Sequence, residues 1–188
     1  DVSAQQSLTC ATQSTSLAHL YNAQEAGRMS GGAKLGPFKI RLRSPAADGY
    51  VSTTILFGEG IGPFGKRLFD WIYEEGECQD SDLEIEWVDF VDGVMSGTIP
   101  MGEYDRIQDV AAEFTSKRRK EDLLQEAIKR RLLMVPIANV GDVAEEAHYV
   151  ERDFWRHIDV PTYGSVSFPG PSAKLSATPL SCNAPPPQ

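Results

Sequence analysis

Hydrophobic and polar positions alternate most regularly at Phe38, Ile40 and Leu42 against Lys39, Arg41 and Arg43, the period of a strand buried on one face. Pro45-Ala46-Ala47-Asp48-Gly49 predicts a turn, with Gly49 free to take positive φ. Tyr50 to Leu56, rich in β-branched residues, predicts the returning strand of a hairpin. Upstream, Ser3 with Gln6 three residues on predicts a capped helix reaching about Ala26. Its face Leu8, Ala11, Thr15 and Ala18 is small and weakly apolar, spaced for close packing. The glycine-rich stretch Gly27 to Gly36 then interrupts the pattern.

Downstream, a loop from Gly58 to Gly65 leads into a short helix with Leu68, Phe69 and Ile72 on one side. Glu74 to Glu86 is acidic and reads as exposed. One helix follows through Tyr104, Ile107, Val110, Ala111 and Phe114; another starts near Ser116 and uses Leu123, Leu124, Ala127, Ile128 and Leu132. Val135 to Val140 reads as a short strand, and Asp142 as the cap of a brief helix through Ala147. The remainder is expected to be extended, with strand character at Tyr163 to Phe168, a turn at Phe168 to Pro171 and a strap to the end. Helices mixed with an antiparallel hairpin make the expected fold class α+β. The expected division is a connecting helix and linker over 1–36, a small α+β domain over 37–160 and an extended segment over 161–188.

Composition narrows the function. The 188 residues carry 27 Asp and Glu against 18 Lys and Arg, a formal charge of −9. A field of that sign repels nucleic-acid backbones, so a nucleic-acid partner is not expected, although a local basic patch can still hold one anion. No apolar run approaches the ~20 residues of a membrane span. The sequence starts at Asp1 without a signal-peptide plan and stops in Ala184-Pro185-Pro186-Pro187-Gln188. Both ends read as cut from a longer polypeptide. Three cysteines, Cys10, Cys78 and Cys182, make neither a disulfide framework nor a metal-site spacing, which points to a reducing, cytoplasmic setting.

Two motifs compete with plainer explanations. Gly60-Ile61-Gly62-Pro63-Phe64-Gly65 spells G-x-G-x-x-G, the glycine pattern that lets a backbone approach a pyrophosphate at a helix start. Here the preceding strand belongs to a hairpin, and Pro63 removes one amide that would face phosphate. An ordinary loop is the better reading, with a nucleotide-binding module using Gly60, Gly62 and Gly65 as the alternative. Lys117 to Lys120 and Lys129 to Arg131 form two basic clusters on one expected helix. They could meet a ligand's phosphates, but Glu121, Asp122 and Glu126 at helical spacing favour a solvated face. His19, His148 and His157 have no metal-ligand spacing, and no Ser-His-Asp or Cys-His set stands out. No catalytic, cofactor-binding or metal-binding residue is therefore assigned from motifs.

Four blocks together resemble the class III CoA-transferase family, whose relatives include carnitine and bile-acid CoA-transferases and acyl-CoA racemases. They are Asp1 to Gln6, similar to the family's "V-D-V-S" block; Arg41 to Val51 (RLRSPAADGYV), similar to its "DGYV" hairpin; Leu132 to Val143 (LLMVPIANVGDV); and Phe168 to Pro179 (FPGPSAKLSATP), similar to its "PGPP-x-R-L-S-x-TP" ending. Their order and spacing cover nearly the whole chain. The resemblance implies the small α+β domain of such an enzyme, with an N-terminal connecting helix and a C-terminal strap returning to a large domain. It implies a subunit about twice this length, an interlocked homodimer, and acyl-CoA and carboxylic acid substrates with no covalently bound cofactor.

The reaction so implied moves CoA between acids. An active-site Asp attacks the acyl-CoA thioester, giving a mixed anhydride, and the returning thiolate makes an aspartyl-CoA thioester. A desolvated, aligned carboxylate can attack a thioester because the thiolate leaves well. The family's nucleophilic Asp lies upstream of the block at Asp1, and Asp1 itself is the structural Asp of that block. The chain alone is then expected not to transfer CoA. Ser30, Gly31 and Gly32 are the counterpart, by position, of the family's glycine-rich loop over the acyl intermediates, and so the expected substrate-binding residues. In the racemase branch a catalytic Glu precedes the "DG" turn; that position here holds Pro45, which weighs against racemase activity. A non-catalytic interaction domain of the same fold is the other reading.

Overall fold

A computed structural model describes residues 3–6, 9–10, 20–21, 29–35 and 37–180. The chain divides into two compact units, residues 1–137 and 138–188. In the first, residues 4–6, 9–10 and 20–21 are helical, and the Gln6 amide donates to the Ser3 hydroxyl at 3.3 Å, as the capping pattern predicts. The small-residue face at Leu8, Ala11, Thr15 and Ala18 lies outside the described residues.

The expected single strand over 38–43 is two strands of two different ladders. Strand β1 (Gly32–Leu35) pairs antiparallel with β2 (Phe38–Arg41), while β3 (Arg43–Ala46) pairs with β4 (Gly49–Thr53), which pairs in turn with β5 (Met134–Ile137). The chain changes partner at Leu42, whose amide donates to the Gly31 carbonyl at 2.9 Å and whose carbonyl accepts from the Thr53 amide at 3.1 Å. Alternation survives the break, so one long run of in-out residues hides two ladders. Strand β1 itself falls where glycines made the sequence read as a linker. The turn is also tighter than expected: Pro45 and Ala46 are in the strand, and only Ala47 and Asp48 bridge to Gly49, whose φ is +146°.

Helix α1 (Gly62–Glu74) buries Leu68, Phe69, Trp71 and Ile72, matching the expected apolar side. Between it and the next predicted helix lie a 3-10 turn (Asp80–Glu84), inside the acidic stretch, and a helix beyond it, α2 (Phe90–Ser96), neither of them expected from the sequence. Helix α3 (Glu103–Ser116) buries Tyr104, Ile107, Ala111 and Phe114; helix α4 (Lys120–Arg130) buries Leu123 and Ala127. Aromatic rings join these elements: Phe57 stacks on Phe90 with centroids 3.8 Å apart, and Trp71 meets Phe114 edge-on at 4.7 Å. Tyr104 donates to the Ile55 carbonyl at 2.8 Å from a buried position. That desolvation pushes its phenol up to about 12.

Two expectations about charge are corrected here. The acidic stretch is not uniformly exposed, since the Asp82 side chain is 1% exposed and meets Arg106 at 2.6 Å. The basic clusters do not share one helix face. Lys117, Arg118 and Arg119 lie at the junction of α3 and α4, where Lys117 and Arg118 pair with Glu77 at 3.0 and 2.7 Å; Arg130 reaches Glu74 at 2.7 Å. Acids after α1 thus clamp the α3–α4 junction. The hydrogen bond from Arg118 holds the Glu77 carboxyl below its usual range, against some desolvation, with Lys117 adding to it; Arg130 does the same for Glu74. Because these folded values are depressed, their stabilisation is full above the ordinary carboxylate range and disappears as pH falls through the folded values. Urea unfolding should therefore show a lower midpoint at about pH 3.5 than at about pH 6, and Glu77→Gln should shrink that difference. An unchanged difference in the variant would remove Glu77 from the account.

The second unit holds helix α5 (Val140–Glu145), helix α6 (Ala147–Glu151) and the antiparallel ribbon of β6 (Trp155–Val160) with β7 (Gly164–Pro169). Asn139, not Asp142, caps α5: its side chain accepts from the Asp142 amide at 3.0 Å, and Asp142 answers to the Asn139 amide at 2.8 Å. Residues 170–180 carry neither helix nor strand.

Candidate functional site

The candidate site starts from the turn that leads into β1. Ser30 and Gly31 form the turn and are exposed, and Gly32 opens the strand. Gly31 has φ +68°, a left-handed conformation that glycine adopts without cost. A Cβ on Gly32 would overlap the Ile40 carbonyl oxygen, so the two strands approach closely only because that residue has no side chain. Ser30, Gly31 and Gly32 are thus together, with a conformational reason for both glycines.

Arg43 is what sequence reasoning did not connect with the turn. A Cβ on Gly31 would sit 3.4 Å from the Arg43 Cβ and 3.5 Å from its Nε, so the arginine stem runs along the bare turn. Its guanidinium lies 4.5 Å from the centroid of Tyr50, over the ring. Both belong to the outer face of the β3–β4–β5 sheet, where register places Pro45, Tyr50 and Ile137 side by side and Ser52 between Arg43 and Val135. The inner face carries Ser44, Val51, Thr53 and Met134, all buried. The outer face is unusually apolar for a sheet with one solvated side: Tyr50 is 45% and Val135 55% exposed. The signal available in the sequence was the alternation itself, which put Arg43 and Tyr50 outward without showing that they touch.

The neighbouring Asp48-Gly49 pair is structural. The Asp48 carboxylate accepts from the Lys120 amide at 2.8 Å, capping α4 from across the fold, and Ala47 donates to the Arg118 carbonyl at 2.8 Å. The Lys120 amide keeps the Asp48 carboxyl below its usual range, against slight desolvation. Asp48→Ala is expected to cost about 1 kcal/mol, the usual value of an N-cap, while Asp48→Asn should cost less. Urea unfolding measures both; equal losses would mean the acceptor is not what matters.

The G-x-G-x-x-G segment is not a phosphate cradle. A Cβ on Gly62 would lie 2.5 Å from the Trp87 carbonyl oxygen, and one on Gly65 would overlap the Trp87 ring. These glycines admit the indole against α1, so the space a pyrophosphate would need is filled. Five cations of the basic clusters, Lys117, Arg118, Arg119, Lys129 and Arg130, are likewise engaged by carboxylates. Among the described residues, no three His, Cys, Asp or Glu side chains gather to hold a metal, and no helix is long and apolar enough to cross a membrane.

The α+β arrangement of helices with these antiparallel ladders is the fold of CaiB/BaiF-type proteins. A CaiB/BaiF family protein from Brucella suis is similar over 96% of this chain and 42% of its own, with a TM-score of 0.66 and 16% identity. Rv3272 from M. tuberculosis is similar over 99% of this chain and 44% of its own, with a TM-score of 0.56 and 13% identity. The chain therefore spans about two fifths of the length of the solved structures it matches. Residues 96–188 match the model of CoA-transferase family III. The chain belongs to that family. A comparison with curated proteins returns no match.

Proposed function

We propose that this chain is the small-domain portion of an enzyme that moves CoA between carboxylic acids. The division follows the expectation from sequence: a connecting segment over 1–36, a small domain over 37–160, and a segment over 161–188 that returns toward a large domain. The acyl group passes through an aspartyl intermediate on a residue outside this chain, in a cytoplasmic homodimer whose substrates are an acyl-CoA and a free acid. The Ser30–Gly32 turn covers the acyl intermediates. A turn without side-chain bulk, held by the Leu42 amide, keeps water from a reactive anhydride while leaving room for substrate.

The observation that carries this reading is the family match over residues 96–188 together with a fold likeness across 96% of the chain. Its test is an assay of the purified chain with several acyl-CoA donors and acid acceptors. No transfer is expected, since the attacking carboxylate belongs to the large domain. Transfer by the chain alone would overturn this account.

A further inference from the structure

From Ser81 to Glu103 the chain interleaves carboxylates with apolar residues, and folding gathers them around one open groove of about 320 Å³. Ile85, Phe90, Ile99 and Pro100 supply its apolar lining, and Glu84 and Glu86, both exposed, line it as well. Two contacts hold these walls. Asp82 and the Gln79 amide close the 3-10 turn that ends at Glu84, and the Ile99 amide donates to the Gly93 carbonyl at 2.9 Å. Apolar surface continues past the groove: Val91 and Met101, chain neighbours of Phe90 and Pro100, are 41% and 54% exposed.

Charge indicates what this surface receives. The cation of the region, Arg106, is held by Asp82 and Glu103, each at 2.6 Å. Glu84 and Glu86 form no ion pair among the described residues, nor do Asp89 and Asp92 at the start of α2. Elsewhere that combination is missing. The cavity of about 830 Å³ in the second unit has Asp153 in its lining, but Arg156 already meets it at 3.0 Å. Arg152 and Lys174, cations without a carboxylate among the described residues, border a cleft of about 30 Å³, room for a water and no larger ligand.

Uncompensated carboxylates repel a small anion or an anionic membrane surface. Basic side chains fit instead. Lysine and arginine lay an aliphatic stem on apolar surface and keep the charged head at its rim, where carboxylates accept charge-assisted hydrogen bonds.

We infer that this groove docks a basic amphipathic segment of another protein, with an apolar side chain seated on Phe90, Ile99 and Pro100 and with Lys or Arg at Glu84 and Glu86. The mode is that of an amphipathic helix laid into an apolar groove. It does not depend on the CoA-transferase reading.

The test is a titration of the whole chain, followed by backbone amide NMR, with an amphipathic peptide of lysine and leucine and with a lysine–serine peptide of the same charge. The lysine–leucine peptide should move amides at 84–86, 90–91 and 98–101, with a dissociation constant of about 100 μM that rises with ionic strength. The E84Q/E86Q variant should bind it about tenfold more weakly, and Met101→Ser about threefold. E145Q/E146Q, which removes the same charge from the second unit, should bind as the parent does. No response around the groove, equal weakening by both glutamine pairs, or equally tight binding of the lysine–serine peptide would overturn the site. Sedimentation of the chain alone should show no self-association through this face; a dimer that E84Q/E86Q dissolves would make a second copy the occupant and overturn the foreign partner.

Discussion

Replacing Arg106 by methionine is expected to cost about 3 kcal/mol of folding stability, or about 10 °C in Tm for a chain of this size. The reason is Asp82. Its carboxylate is buried, accepts from Arg106 at 2.6 Å and from the Gln79 amide at 2.9 Å, and closes the 3-10 turn. Methionine fills the volume of the arginine stem but leaves a buried anion with one amide for company. The loss falls toward the lower end for a broken buried pair because the Arg106 side chain is 42% exposed and water reaches that side. Urea unfolding is the measurement. Arg106→Met combined with Asp82→Asn should recover part of the loss, since the neutral amide no longer needs a cation. A loss below about 1 kcal/mol in the single variant would mean Asp82 is solvated in a way its burial does not allow.

Gly65→Val should be about as damaging, at roughly 3 kcal/mol, because the added carbons must displace the Trp87 indole from its seat on α1. That indole also meets Phe69 at 5.3 Å and Phe57 at 5.5 Å, so it cannot yield without disturbing the aromatic core. Gly60→Ala is the contrast: nothing lies within 4 Å of its Cβ position, and it should change stability by about 0.5 kcal/mol or less. Thermal unfolding of the two variants separates a packing role for this motif from a ligand role. Equal effects at both positions would overturn the packing account.

Periodicity made some elements legible and charge hid others. Leu68, Phe69 and Ile72, and the series Tyr104 to Phe114, showed their helices because apolar residues recur at helical spacing. Helix α2 was lost because Asp89, Asp92 and Gly93 interrupt its pattern; Gly93 is there because Ile99 folds back onto it. Strand β1 was lost because Gly31 and Gly32 read as linker, although they serve a left-handed turn and a close strand approach. Alternation cannot show where a strand changes partner, so the break at Leu42 was invisible. Ser30 to Gly32 were legible as a turn of interest only through family resemblance. That Arg43 runs beside them, and that Asp48 caps a helix seventy-two residues away, depend on contacts between distant positions that no local pattern encodes.

Leu42 has a mechanical consequence. One residue gives its amide to Gly31 and its carbonyl to Thr53, so a single peptide segment is riveted to both ribbons. A flap made of the Ser30–Gly31 turn alone could not swing without tearing one rivet, and sliding β2 by one position would drag β4 out of step. Any displacement of the turn is therefore passed through Leu42 to β4 as well, so the turn and the two ribbons are mechanically coupled at one residue.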